Sequence, residues 1–227
     1  MGRSVLRPYT TVLGGIAMTK GEDTRREIVE RAAPLFNQKG FEGTSMSDLM
    51  RVTGLQKGGI YRHFSSKEEL AGEAFDYAWH RAFEKRLEGV DEAADAVERL
   101  KKMIDNFVDI RTGLVAGGCP LMNTAIEADD GNPVLRARAR GALSGWMARL
   151  TKAAEDGISK REVGTRVDCK ALGQLIISTL EGALLISRLE SDRAALDQVR
   201  RHLHDYLEAN VRRKKAGRRA KRSLERR

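Results

Sequence analysis

Residues 44–70, TSMSDLMRVTGLQKGGIYRHFSSKEEL, read as a short helix, a glycine turn, a second short helix and the capped start of a third. Ser45 followed by Asp48 is a capping-box pattern, in which a hydroxyl and a carboxylate satisfy open amides of the first turn. Gly54 ends that helix. In the next one Ile60 and Phe64 are four apart, so they share a face that can pack on Leu49, Val52 and Phe36. The opposite face keeps Lys57, Tyr61, Arg62 and His63. Gly58 and Gly59 cost about 1 kcal/mol each inside a helix, yet without side chains the backbone can approach a partner closely.

A helix held by its back, with a polar and partly side-chain-free front, suits the major groove of DNA. Lys57 can reach guanine or phosphate, Tyr61 a phosphate, and His63 either. Ser45 and Lys67 start the flanking helices, where phosphate contacts suit the amide groups. Arg51, Lys57, Arg62 and Lys67 stand against Asp48 in this segment, a local +3. A hairpin with a merely solvated basic face is the plainer reading, but such a hairpin has no use for two glycines in so short a helix.

Outward from this segment the pattern is helical throughout. Thr24 with Glu27 predicts the start of a first helix, whose apolar face is Ile28, Ala32, Leu35 and Phe36 and whose end is Gly40. Ser66 with Glu69 opens a long fourth helix, with Phe75, Trp79, Phe83 and Leu87 on one stripe. A fifth is expected from Glu92 to Arg111, and a sixth from Pro120 to Asp129 and Asp130. Asn132 and Pro133 begin a seventh through Trp146 and Leu150, a loop follows from Gly157 to Arg166, and Asp168 caps an eighth. Between Ala171 and Leu189 apolar residues occur all round, so that helix must be buried on every side. The ninth carries Leu196, Val199, Leu203 and Tyr206 at the alternating spacing of a packing seam. Leu180 and Leu184 with that seam predict a homodimer built on a four-helix bundle, with a monomeric bundle as the alternative.

Composition bounds the rest. The 227 residues include four prolines and 5% aromatics, as in a helical chain. The net charge is +9, but Arg212–Arg227 holds ten Lys/Arg and one Glu. From totals of 41 basic and 32 acidic residues, the remainder is 31 of each, so the global charge does not locate a DNA-binding surface. The tail is expected to be disordered, either adding sequence-independent DNA affinity or serving as a simple extension. Cys119 and Cys169 lack metal-ligand spacing and suit a reducing cytosol. Cys119 could sense redox state, or simply be a small residue at a helix start. No apolar run approaches the roughly 18 residues of a membrane helix, and residues 1–20 read as a disordered arm, or as preceding a natural start at Met18. No Ser-His-Asp, metal or nucleotide motif points to an enzyme, and no cofactor or metal is expected.

From Thr24 to Ala78 the features TRREIVERAAPLF, GFEGTS, the Gly54 turn, GGIYRHF and SKEEL together resemble the DNA-binding domain of TetR-type transcriptional regulators. The resemblance implies an all-α protein: an N-terminal three-helix helix-turn-helix domain and a C-terminal helical domain for ligand binding and dimerisation, about nine helices in all. It implies a cytoplasmic homodimer that represses at a palindromic double-stranded DNA operator until a small-molecule effector binds. Ser45, Lys57, Gly58, Tyr61, His63 and Lys67 match positions that touch DNA in the family. Met50 and Thr53 depart from the alanines usual there, and Gln56 replaces the small hydroxyl residue that commonly caps the recognition helix. With Gly59 and Arg62, Gln56 completes the expected DNA face. The expected division is an arm at 1–20, the helix-turn-helix domain at 21–66, the ligand and dimer domain at 67–211, and a tail at 212–227. Phe75, Trp79, Phe83, Met103 and Phe107 could wall an effector pocket, with Met122 and Trp146 closing over it, or could be plain core. Asn123 and Glu127, one helical turn apart, are its polar candidates. Glu181, the lone acid in an apolar helix, reads rather as one half of an ion pair with Arg188 or with an arginine across a dimer.

Overall fold

The structure, a computed structural model, describes residues 19–109, 115–129 and 131–214. The arm at 1–18, Arg111, Asp130 and the tail at 215–227 lie outside the described residues. The protein is all-α: α1 (Lys20–Lys39), α2 (Met46–Thr53), α3 (Lys57–Tyr61), α4 (Lys67–Leu87), α5 (Ala96–Asp109), α6 (Pro120–Glu127), α7 (Pro133–Ser159), α8 (Cys169–Glu190) and α9 (Ala194–Tyr206). A π-helical turn, Leu207–Val211, continues α9. Among the described residues the only extended pairing is an isolated antiparallel bridge between Val163 and Arg212.

Several helix boundaries differ from those the sequence suggests. The capping box of α1 is Thr19 with Glu22, five residues before the expected pair, and the Thr24 hydroxyl instead donates to the Lys20 carbonyl at 2.9 Å. Residue 19 therefore belongs to the folded domain. At α4 the Ser66 hydroxyl accepts the Glu69 amide as expected, but the Glu69 carboxylate reaches back one residue further, to the amide and hydroxyl of Ser65 at 2.6 Å each. α5 starts at Ala96 rather than Glu92, because Asp95 accepts the Glu98 amide and Glu162 accepts that of Ala96. α7 runs past Gly157 to Ser159; a Cβ on Gly157 would meet Ala96 Cβ at 2.5 Å and Val163 Cγ2 at 2.6 Å, so this glycine serves packing within a helix.

The described residues form two compact units, those within 1–86 and 109–146 and those within 87–108 and 147–227. In the first, Ile28, Ala32 and Phe36 of α1, Leu49 of α2, Ile60 and Phe64, and Leu70, Ala74 and Ala78 of α4 share one core with Val115, Ala128 and Leu135. The helix-turn-helix is thus continuous with α4 and α6, and the break expected at 66/67 is not a boundary between compact units. Arg25 fastens α1 to α4: it lies 4.1 Å from the centre of the Phe64 ring and bonds Glu69 at 2.7 Å and Glu73 at 3.2 Å.

In the second unit α8 and α9 pack along one another. Leu172, Ile176, Leu180 and Ala183 of α8 are buried, as are Leu196 and Leu203 of α9. Leu180, Leu196 and Leu203 therefore belong to the chain's own core and not to an outward face. Exposed instead are Leu175, Leu185, Ile186 and Leu189, the last at 77%. α8 is also long and apolar enough by length and composition to cross a membrane, with a mean hydropathy of 1.4 over its best window, of which 39% is buried. No unbroken apolar run betrays this, because Ser178, Thr179, Glu181 and Gly182 interrupt the leucines and isoleucines.

The second unit ends in a charge cluster. Arg212 bonds Asp95 and Glu98 at 2.6 Å and Glu208 at 2.7 Å, while Lys101 bonds Glu98 and Glu208. The Glu208 carboxylate leads in raising the Arg212 guanidinium well above its ordinary range. Arg212, placed at the start of the tail on charge alone, is neutralised inside the fold, and Arg213 adds a backbone bond to Glu162.

Candidate nucleic-acid interface

α2 is held at its start by the expected capping box, with the Ser45 hydroxyl accepting the Asp48 amide at 3.0 Å and donating to the Asp48 carboxylate at 2.9 Å. Arg51 leads, with Ser45 and Lys39, in holding the Asp48 carboxyl below the usual carboxylate range. At Gly54 the chain enters the left-handed region (φ 72°, ψ 9°), which suits glycine and turns the backbone from α2 into α3.

α3 is anchored from behind. Ile60 and Phe64 are each 1% exposed and share the core with Leu49. On the other side Gln56, Lys57, Gly58, Tyr61 and Arg62 are exposed, and Gly59 and His63 half-buried. The Lys57 ammonium lies 5.9 Å from the centre of the Tyr61 ring, so lysine and phenol form one polar ridge. Gln56 occupies the N-cap position and makes no side-chain capping bond. Lys67 is half-buried with its ammonium 4.3 Å from the Phe41 ring centre, more sheltered than an isolated phosphate-seeking lysine.

Gly58 is open on this face. A Cβ built there meets nothing within 4 Å, and the residue is not among the positive-φ glycines. Alanine would fit and would favour the helix. Nothing in contact with it inside the protein calls for glycine at this position. Gly59 is different, since its Cβ would sit 3.4 Å from Leu55 Cβ.

The expected effector residues fall in both units. In the first unit Trp79 stacks on Phe83 with ring centres 5.4 Å apart and meets Trp146 at 6.2 Å. Between the two indoles lies the buried Arg86 guanidinium, 4.9 Å and 4.3 Å from their centres, with Cys119 Sγ at 3.3 Å. Phe75 is buried and Met122 half-buried in the same unit, whereas Met103 and Phe107 are buried in the other. Phe75 and Glu127 line a small recess with Phe36, Asn37, Phe41 and Thr124, whose cavity volume is only about 20 Å³. Asn123 Nδ2 already bonds Asn37 and the Gly117 carbonyl, and the two Glu127 carboxylate oxygens accept the amides of Phe41 and Glu42, at 2.8–3.0 Å. Arg25, Asn37 and Arg86 give no signal in the sequence, because their hydrogen-bond partners Glu73, Asn123 and Cys119 are 33 to 86 residues away. Among the described residues no group of three or more His, Cys, Asp or Glu could hold a metal.

Residues 28–74 match the family model for bacterial regulatory proteins of the tetR family, and residues 96–203 the model for the tetracycline-repressor-like C-terminal domain. An uncharacterized HTH-type transcriptional regulator of Mycobacterium tuberculosis is 31% identical over 200 residues, covering 82% of this chain and 95% of its own. The HTH-type transcriptional repressor DhaR of Mycobacterium sp. strain GP1 is 24% identical over 177 residues, covering 77% and 87%. A crystal structure of a TetR transcriptional regulator from Chloroflexus aurantiacus superposes with a TM-score of 0.83 at 41% identity, covering 87% of this chain and all of that one.

Proposed function

Because the chain belongs to the TetR family of transcriptional regulators, we propose that it is a repressor that grips a palindromic operator as a homodimer and leaves it when a small, largely apolar effector binds. The observation that carries the reading is the outer face of α3: Gln56, Lys57, Gly58, Tyr61 and Arg62 exposed, on a helix pinned from behind by Ile60 and Phe64. Two such helices enter successive major grooves about 34–36 Å apart. Lys57 and Gln56 read base edges, Tyr61, Ser45 and Lys67 hold phosphates, and His63 and Arg62 flank them. Ser45 keeps its capping bond and offers a lone pair and the helix start beside it.

A second copy of the chain covers the outward face of α8, where Leu175, Gly182, Leu185 and Leu189 recur at helix-packing spacing. Val199, Leu184 and Tyr206, half-buried in one chain, flank that contact. The effector meets the aromatic wall of Trp79, Phe83 and Trp146, with Phe75 and Met122 beside it, and it acts by favouring a dimer whose reading heads no longer match the operator. That the relative DhaR is a transcriptional repressor supports repression rather than activation. A bacterial regulator of this kind works in the cytoplasm. Footprinting on DNA flanking the coding gene tests the reading. A protected palindrome is expected, and uniform protection without sequence preference contradicts it.

A further inference from the structure

We propose that Asn37, Asn123 and Glu127 are positioning residues for DNA reading: they lock the link between α1 and α2, and so the start of α2, onto α6. The inference rests on the assignment of α2 and α3 as the DNA-reading pair. Glu127 closes α6, and its two carboxylate oxygens accept the backbone amides of Phe41 at 2.8 Å and Glu42 at 3.0 Å. These amides follow Gly40, where φ is 76° and a Cβ would meet a Glu127 oxygen at 2.5 Å. Gly40 thus both ends α1 and admits the carboxylate.

One turn earlier on α6, Asn123 Nδ2 donates to Asn37 O at 2.9 Å, Asn37 Oδ1 at 3.0 Å and Gly117 O at 2.9 Å. Asn37 Nδ2 in turn donates to the carbonyls of Ala116 at 3.0 Å and Gly118 at 3.3 Å. Gly117 has φ 123°, and a Cβ on it would strike the Asn37 carbonyl oxygen at 2.6 Å. Three polar side chains and two glycines therefore join α6 to α1 almost wholly through backbone groups.

Apolar packing stabilises without prescribing direction, whereas a carboxylate bonded to two successive amides fixes both place and rotation. The link is closed on itself, since the Thr44 hydroxyl donates to the Gly40 carbonyl at 2.6 Å and Thr44 is fully buried. Ser45, the cap of α2, comes next. Only Gly43 and Thr44 separate the Glu42 amide that Glu127 holds from Ser45, so the carboxylate and the cap of α2 are joined through a short closed link. Asn123 is half-buried and Glu127 exposed, so they add little to the core. Their removal should cost placement more than folding.

The test uses the intact chain with Glu127→Gln and, separately, Asn123→Ser. Duplexes carrying two half-sites and a spacer of random length are selected by the wild type and by each variant. The wild type should enrich one spacer. Each variant should enrich a broader set and bind the wild-type operator about tenfold more weakly. Its salt dependence should stay unchanged, because the phosphate contacts are the same in number. Purely structural damage lowers affinity at every spacer alike and leaves the preference in place. Variants that keep the wild-type spacer, or that both fail to fold in a thermal melt, overturn the positioning role. A wild type that enriches no operator overturns the DNA-reading assignment itself, which separates the two failures.

Discussion

Replacing Gly58 by alanine should move stability and DNA affinity in opposite directions. The added methyl meets no atom of the protein within 4 Å, and no positive φ opposes it. Alanine is favoured over glycine in a helix by about 0.5–1 kcal/mol. Gly58 is the second residue of α3, so a value near the lower end, about 0.5 kcal/mol, applies. In a chain of this size that raises Tm by about 1–2 °C. On DNA the same methyl stands between backbone and phosphate. Losing one charge-assisted contact costs about 1.5 kcal/mol, and a dimer loses two, so affinity should fall about 100-fold. Gly54→Ala is the control: its Cβ also meets nothing, but φ is 72°, so a side chain there costs about 1 kcal/mol or more of stability. Thermal melts and fluorescence anisotropy on one labelled duplex read both quantities. A Gly58→Ala chain that melts higher and binds as tightly as wild type removes this face from DNA. A chain that melts lower refutes the open geometry around Gly58.

Other consequences follow from the same contacts. The Ser65 hydroxyl and amide, then Arg25, hold the Glu69 carboxyl down at about 2, against an ordinary 4.5. A depressed carboxylate stabilises the fold fully above its unfolded value and loses that contribution as pH falls through about 2. Glu69→Gln should then cost about 1 kcal/mol at neutral pH, after discounting for exposure, and progressively less below pH of about 4.5. Urea midpoints that differ by the same amount at every pH contradict this. Leu185→Glu with Leu189→Glu should give a folded monomer in sedimentation, since both side chains already face water in one chain; an unchanged dimer would move the interface off α8. Gln56→Ala should leave Tm unchanged, because the side chain makes no cap bond, and should relax the preference at one base pair of each half-site. Equal loss at all base pairs would make Gln56 a phosphate contact instead.

What the sequence made legible was local. Ser45 with Asp48, Gly54, and the Ile60–Phe64 pair each act within one helix turn, so their spacing alone predicts the geometry found. Where two local patterns competed, spacing could not choose: Thr19 with Glu22 and Thr24 with Glu27 both match a capping box, and only the backbone shows which hydroxyl stands at the helix start. α8 defeated periodicity for another reason. With apolar residues all round, nothing in the pattern separates the buried Leu180 from the exposed Leu189. Asn123 and Glu127 looked like polar groups awaiting a ligand, because their partners are Asn37, Phe41 and Glu42, some 85 residues earlier. Tail charge misleads at Arg212, because besides Glu208 one turn earlier its acidic partners Asp95 and Glu98 are more than a hundred residues away.

Selecting binding sites for the intact chain from a pool of random duplex DNA shows whether the glycine-opened face of α3 reads an operator. One palindromic motif with half-site centres about one helical turn apart is expected, lost on Lys57→Ala combined with Gly58→Ala. A pool that emerges without a shared motif, or the same motif retained by that double variant, contradicts it.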